Sequence, residues 1–130
     1  MKRRIWALLL IALLLSGCAA KETEKDYLRI SAAEAAERMA AETDCVILDV
    51  RSPEEYASGH IPGAICIPNE SIGADVISQL PDRDQLILVY CRSGNRSKQA
   101  ARKLVDLGYS NIVEFGGINS WTGEIVTGNE

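Results

Sequence analysis

The chain has 130 residues, a single-domain length that can bury a real core, with 47% hydrophobic and 25% charged residues. Its 14 Lys and Arg face 18 Asp and Glu, a formal charge of −4. An acidic body without a basic tail excludes nucleic acid as the expected partner.

The first 18 residues are expected to lie outside the fold. Lys2, Arg3 and Arg4 make a charged start, and Ile5 to Leu15 is an unbroken apolar run. A helix that spans a membrane needs roughly 20 apolar residues. This run is too short and reads as the apolar region of a signal peptide. Leu15-Ser16-Gly17-Cys18 resembles a bacterial lipobox, with small residues between Leu and Cys. The resemblance implies lipidation of Cys18, cleavage after Gly17, and anchoring by more than one acyl chain on the extracytoplasmic face of a bacterial membrane. Removing Met1–Gly17 leaves 113 residues with 11 basic against 18 acidic side chains, a formal −7. Residues 18–26 are then a lipidated polar tether, and residues 27–130 the folded domain. With Cys18 modified, three of the four cysteines remain, and an odd count leaves at least one thiol unpaired in the monomer.

Within the domain, short apolar runs alternate with helical patterns. Tyr27–Ile30 is a weak first strand, and Ser31 with Glu34 makes a capping box opening an alanine-rich helix over Ala32–Ala41. Val46–Val50 is a continuous β-branched and leucine run, the pattern of a buried parallel strand. Ser52-Pro53-Glu54-Glu55 starts a second, short helix that stops at Gly59. Ala64–Ile67 is the next strand, ended by Pro68, and Ala74–Leu80 is predicted as a helix before Pro81. Leu86–Tyr90 is a second fully apolar strand, Lys98–Leu107 a helix stopped by Gly108, and Asn111–Phe115 the last strand. Strands alternating with helices predict an α/β fold, a central parallel sheet with helices on both faces. Cys45 and Cys66 lie in strand-like runs and are expected to be small buried hydrophobes.

Reactive groups of such sheets collect at the C-terminal strand ends, and Cys91 sits at one. After it comes a tight, cationic, glycine-containing loop, Arg92-Ser93-Gly94-Asn95-Arg96-Ser97, and then a helix. Successive backbone N–H groups and the positive end of a helix dipole favour thiolate over thiol. Cys91 is therefore the candidate nucleophile, with no histidine needed beside it. No carboxylate occurs between Asp84 and Asp106, whereas Arg92, Arg96, Lys98, Arg102 and Lys103 all do. A positive field there suits a small anionic substrate. His60 is the single histidine, and one histidine without a CxxC pair predicts no metal site and no cofactor.

Four stretches in the correct order resemble the rhodanese, or thiosulfate sulfurtransferase-like, domain: Leu48–Tyr56, Gly59–Ala64, Cys91–Ser97 and Gly116–Trp121. The resemblance covers nearly all of Tyr27–Trp121 and implies the rhodanese-like three-layer fold. It further implies that Cys91 takes sulfur from a small anionic donor such as thiosulfate, holds it as a persulfide within the loop, and passes it to a thiol or cyanide-like acceptor. Gly94 lets the backbone curl around the sulfur. Arg92 and Arg96 can hold the anionic end of the donor or tie down loop carbonyls. Asp49 is expected mainly as a structural residue, paired with Arg51 or capping the Ser52 turn, with a role in orienting Arg96 as the alternative. His60, Tyr56 and Trp121 are expected to pack. Two rival functions share the cysteine cradle. One is a non-catalytic module that senses sulfur or binds a partner. The other is phosphatase or arsenate-reductase chemistry, which uses five residues between Cys and Arg where Cys91 and Arg96 have four between them.

Overall fold

The computed structural model describes residues 26–75 and 77–129 of the chain. The signal-peptide and lipobox reading of Met1–Cys18 lies outside the described residues, as does the tether up to Lys25. Strands β1 (Leu28–Arg29), β2 (Val46–Asp49), β3 (Ile65–Cys66), β4 (Ile87–Cys91) and β5 (Ile112–Gly117) form one sheet. Its order is β1-β5-β4-β2-β3 and every pairing is parallel. Helices α1 (Ala32–Ala41), α2 (Pro53–Ser58) and α3 (Asn95–Asp106) flank it.

β4 runs through the middle, and all five of its residues are buried. Its alternating side chains divide the core in two. Ile87, Val89 and Cys91 point to the face covered by Ala100, Ala101, Leu104 and Val105 of α3. Leu88 and Tyr90 point to the other face, where they meet Ala32 and Ala35 of α1 and Tyr56 of α2. A strand apolar on both sides is what two covering layers require. The α/β architecture with helices on both faces is thus the one the alternation of runs predicts. The outermost strands, β1 and β3, are two residues each, which leaves little unpaired edge.

Helices α1 and α2 begin where the serines place them. Ser31 Oγ accepts from Glu34 N at 3.1 Å. Ser52 Oγ accepts from Glu55 N at 3.2 Å, and the Glu55 side chain reaches back to Ser52 N. The predicted helix over Ala74–Leu80 is not formed: Ala74 and Asp75 lie in a bend, and Ser78 and Gln79 in a turn. Seven residues of middling helix propensity cannot repay the cost of a helix nucleus without a continuous buried face. The helical turn in this region comes earlier, as a 3-10 turn over Asn69–Ser71. Leu80 is nevertheless buried, and Tyr109 Oη donates to its carbonyl at 2.7 Å. Cys45 and Cys66 are half-buried rather than buried, both packed against the core from its margin. Each belongs to a strand or strand approach short enough to leave one side open.

Candidate active site

β4 delivers Cys91 to the centre of the sheet's C-terminal edge, between β2 and β5. The chain then turns into α3 within three residues, because Gly94 takes a left-handed conformation at φ 115° that costs glycine little. α3 therefore starts at Asn95, three residues before the predicted Lys98. Asn95, Arg96 and Ser97 belong to the first helical turn, whose N–H groups have no partner within the helix.

Those donors and the loop's own converge on the sulfur. Gly94 N donates to Cys91 Sγ at 3.0 Å, and the thiol lies 3.4 Å from Ser97 Oγ. Burial pushes the Cys91 thiol up. The Ser97 hydroxyl and the backbone N–H groups of Ser97, Gly94 and Ser93 together outweigh it, so Cys91 is held below the ordinary thiol value. The residue is 1% exposed, so the sulfur sits beneath the loop, not on the surface.

The floor of this cradle is a β-bulge. Val89 pairs with Glu114, but Cys91 pairs with Gly117, so β5 carries one more residue than β4 over the same interval. Gly116 accommodates it at φ 84°. Gly117 then passes so close under the loop that a Cβ there would fall onto the Arg92 carbonyl. The same carbonyl accepts from Asn119 N at 3.2 Å, which ties the loop to the turn after β5.

The cationic stretch is less free than its composition predicts. Arg96 makes a two-pronged pair with Glu55, at 2.7 and 3.0 Å, joining the first turn of α3 to α2. Arg102 pairs with Asp26 at 2.7 Å, and Lys103 Nζ donates to the Asn69 carbonyl at 2.9 Å. Arg92, by contrast, is exposed at the loop's rim. The Arg96 guanidinium, first through its hydrogen bond, holds the Glu55 carboxyl down to about 2.

A family model described as "Rhodanese-like domain" matches residues 31–124, well over half of the chain. The chain belongs to the rhodanese-like family. It is 43% identical over 89 residues to the thiosulfate sulfurtransferase GlpE of Pseudomonas entomophila, covering 65% of this chain and 80% of that one. It is 37% identical over 71 residues to the thiosulfate sulfurtransferase PspE of Escherichia coli, covering 55% of this chain and 68% of that one. Among solved structures, a rhodanese-related protein from Thermoplasma volcanium superposes with a TM-score of 0.66 at 33% identity, covering 80% of this chain and 100% of that one.

Within this rhodanese-like domain, the residues singled out from the sequence fall into two groups. Cys91 to Ser97 form the cradle itself. Asp49 and Arg51 do not reach it. They form a buried pair at 2.7 Å, in which Arg51 also donates to the Gly59 carbonyl at 2.7 Å. This pair ties the end of β2 to the end of α2, so Asp49 does not orient Arg96. His60 is fully buried, its ring stacked on Tyr56 at 3.7 Å with Nδ1 2.8 Å from the Tyr56 carbonyl. Two residues beside the cradle are not evident from the sequence. Glu55 is legible there as the helix-capping residue, but its partnership with Arg96 spans 41 positions. Glu114 looks like one more residue of the last strand. Its signal is a lone carboxylate between Val113 and Phe115, in a strand otherwise free of charge.

Proposed function

We propose that this rhodanese-type sulfurtransferase moves sulfane sulfur from a thiosulfate-like donor to a thiol or cyanide-like acceptor through a persulfide on Cys91. The observation that carries the reading is the cradle: a thiol held below its ordinary value, with N–H groups of the loop and of a helix start facing its sulfur. In the first half-reaction the Cys91 thiolate attacks the outer sulfur of the donor. The new S–S bond forms as the donor's sulfur–sulfur bond breaks, and its electron pair leaves with sulfite. In the second, the acceptor attacks the terminal sulfur and Cys91 leaves as thiolate. The N–H groups that face Sγ are placed to accept negative charge on the terminal sulfur as well.

The names of the Escherichia coli and Pseudomonas entomophila relatives support thiosulfate as the donor class. The shortness of the loop supports a single sulfur atom over a phosphate or arsenate, because only four residues separate Cys91 from Arg96. Exposed Arg92 is the guanidinium available to the donor's anionic end. Intact-mass analysis of the domain after thiosulfate treatment tests the reading. The expected result is a gain of one sulfur atom that Cys91→Ser abolishes. Loading that survives this substitution would refute it.

The reading extends to location. The apolar run and the lipobox-like Leu15-Ser16-Gly17-Cys18 support lipid attachment at Cys18 on the extracytoplasmic side of a bacterial membrane. No helix among the described residues is long and apolar enough to cross a membrane. Cys18→Ser should release the protein or leave an unprocessed precursor, as judged by fractionation and mass. A fully processed variant that stays membrane-bound would defeat lipid attachment at this residue.

A further inference from the structure

The positive charge around the cradle is smaller than its arginines suggest, because carboxylates stand among them. Arg96 opens α3 directly after the loop, and two of its nitrogens meet Glu55. A second carboxylate acts on it from a neighbouring turn. The 3-10 turn over Asn69–Ser71 is docked along α3: Asn69 Nδ2 donates to Gln99 Oε1 at 3.0 Å, and Lys103 Nζ donates to Asn69 Oδ1 at 3.1 Å. Gln99 and Lys103 follow Arg96 at helical spacing on one face. Glu70, next to Asn69, is thereby carried to the Arg96 side of the helix, where it is exposed. Arg96 is held above the ordinary arginine value first by its hydrogen bond to Glu55, and the charges of Cys91 and Glu70 act on it as well. Sulfur, guanidinium and two carboxylates thus form one electrostatic group at the mouth of the cradle.

Other cations of the region lie elsewhere. Lys98 stands one turn before Arg102, hence on the side of α3 that faces Asp26 and Tyr27. Arg29 is on β1, with its Nε 3.4 Å from the buried Glu114. Exposed Arg92 remains for the donor, with Glu70 opposing it.

Sulfur donors differ in how many charges they bring to this mouth. Thiosulfate brings two. A thiosulfonate, R–SO2–S⁻, offers the same outer sulfur with one charge fewer, because a carbon substituent replaces an oxyanion. The chemistry is otherwise alike: an S–S bond forms on Cys91, the donor's own S–S bond breaks, and its electron pair leaves with sulfinate instead of sulfite.

We propose that Glu70 is a specificity-determining residue which, beside the Glu55–Arg96 pair, grades sulfur donors by charge and holds back doubly charged thiosulfate relative to a singly charged thiosulfonate. This rests on the proposed role of Cys91 as sulfur carrier. Each negative charge on the donor is repelled by Glu70 in turn, so its effect counts twice for thiosulfate and once for a thiosulfonate.

The test compares kcat/KM for thiosulfate and for methanethiosulfonate in the wild-type protein and in Glu70→Gln, with one fixed acceptor. In a double displacement this quantity reports the loading half-reaction alone. The ratio of the two donors cancels any change in the cysteine itself, since both meet the same thiolate. Near a screened surface, one charge pair about 8–10 Å apart is worth about two- to fivefold at low salt. Glu70→Gln should therefore raise kcat/KM for thiosulfate about two- to fivefold more than for methanethiosulfonate. Glu70→Asp should keep the ratio near wild type. The shift should fade as salt approaches about 1 M, where the screening length falls to about 3 Å. A merely structural role for Glu70 would move both donors together and would not fade with salt. If both donors still load Cys91 but the ratio is unchanged, or moves toward methanethiosulfonate, the selectivity is refuted and the carrier stands. If neither donor loads Cys91 in the wild-type protein, the carrier fails and the selectivity falls with it.

Discussion

Cys66 and Cys91 close two strands of one parallel sheet at the same edge, yet their thiols are driven in opposite directions. Burial, together with the nearby Asp49 carboxylate, pushes Cys66 up to about 11, while Cys91 is drawn below the ordinary thiol value although it is the more buried. The difference lies in the segment after each strand. Beyond Cys66 come Ile67 and Pro68, and Cys66 Sγ meets a carbonyl, that of Arg51, at 3.6 Å. Beyond Cys91 the chain reverses at Gly94 into α3, and N–H groups face the sulfur. The end of a parallel strand is thus only a location. A nucleophile is made there by a glycine turn, a helix start and the bulged strand that holds the loop from below.

The largest test of this comparison exchanges the two sulfurs' fates. Cys91→Ser should abolish sulfur loading from thiosulfate, whereas Cys66→Ser should leave it intact. Loading at Cys66 in the Cys91→Ser protein, read by peptide mass, would mean that strand position alone suffices.

The next test removes the floor and leaves the sulfur in place. In Gly117→Ala the new Cβ would fall onto the Arg92 carbonyl, so the loop must move. Overpacking of this kind costs about 1–3 kcal/mol. Misplacing a reacting group by about an ångström costs about a hundredfold in rate. A large loss of kcat/KM with a modest fall in denaturation midpoint is therefore expected. A variant with wild-type rates would show that the loop holds its shape without β5.

How far the sequence reveals this site depends on the range of each interaction. Cys91, the loop after it and the buried strand before it are contiguous, so periodicity and turn chemistry disclose them together. The serine caps of α1 and α2 are equally local, and both helices begin where predicted. Sequence alone puts the start of α3 at Lys98, because Arg92–Ser97 reads as polar loop. Only the left-handed Gly94 shows that half of it is helix. The Glu55–Arg96 and Ser97–Glu114 contacts join residues 41 and 17 positions apart, which no local pattern encodes. The helix expected over Ala74–Leu80 is unformed for another reason: its local propensity is middling, and without a continuous buried face it cannot repay the helix nucleus.

A smaller effect is expected at the rim. Arg96 is committed to Glu55, and Arg92 is exposed, so the donor's anionic end falls to Arg92 on the proposed reading. Arg92→Ala should lower kcat/KM for thiosulfate about ten- to a hundredfold, the loss of one charge-assisted contact. Transfer of sulfur already on Cys91 should proceed at nearly the wild-type rate, since that step relies on backbone donors. Equal losses in both half-reactions, measured by single-turnover kinetics, would make Arg92 a shaping residue of the loop.

The smallest effect belongs to Glu55. Its carboxyl is lowered from the ordinary 4.5 to about 2, chiefly by the Arg96 hydrogen bond. A carboxyl lowered on folding contributes stability that is full above its unfolded value and is lost as pH falls through the folded one. The window therefore runs from about pH 4.5 down to about pH 2. Both side chains are about a third exposed, at 29% and 32%, so water screens the pair strongly. It should be worth about 0.5–1 kcal/mol, not the full value of the shift. Glu55→Gln should thus unfold slightly more easily than wild type at neutral pH, and the two denaturation midpoints should converge as the pH approaches 2. Glu55 reaches Cys66 only as a neighbouring negative charge that helps to raise it, so its loss should ease Cys66 ionisation a little. A stability gap that stays constant down to acid pH would assign the loss to the helix-capping role of Glu55 instead of its pair with Arg96.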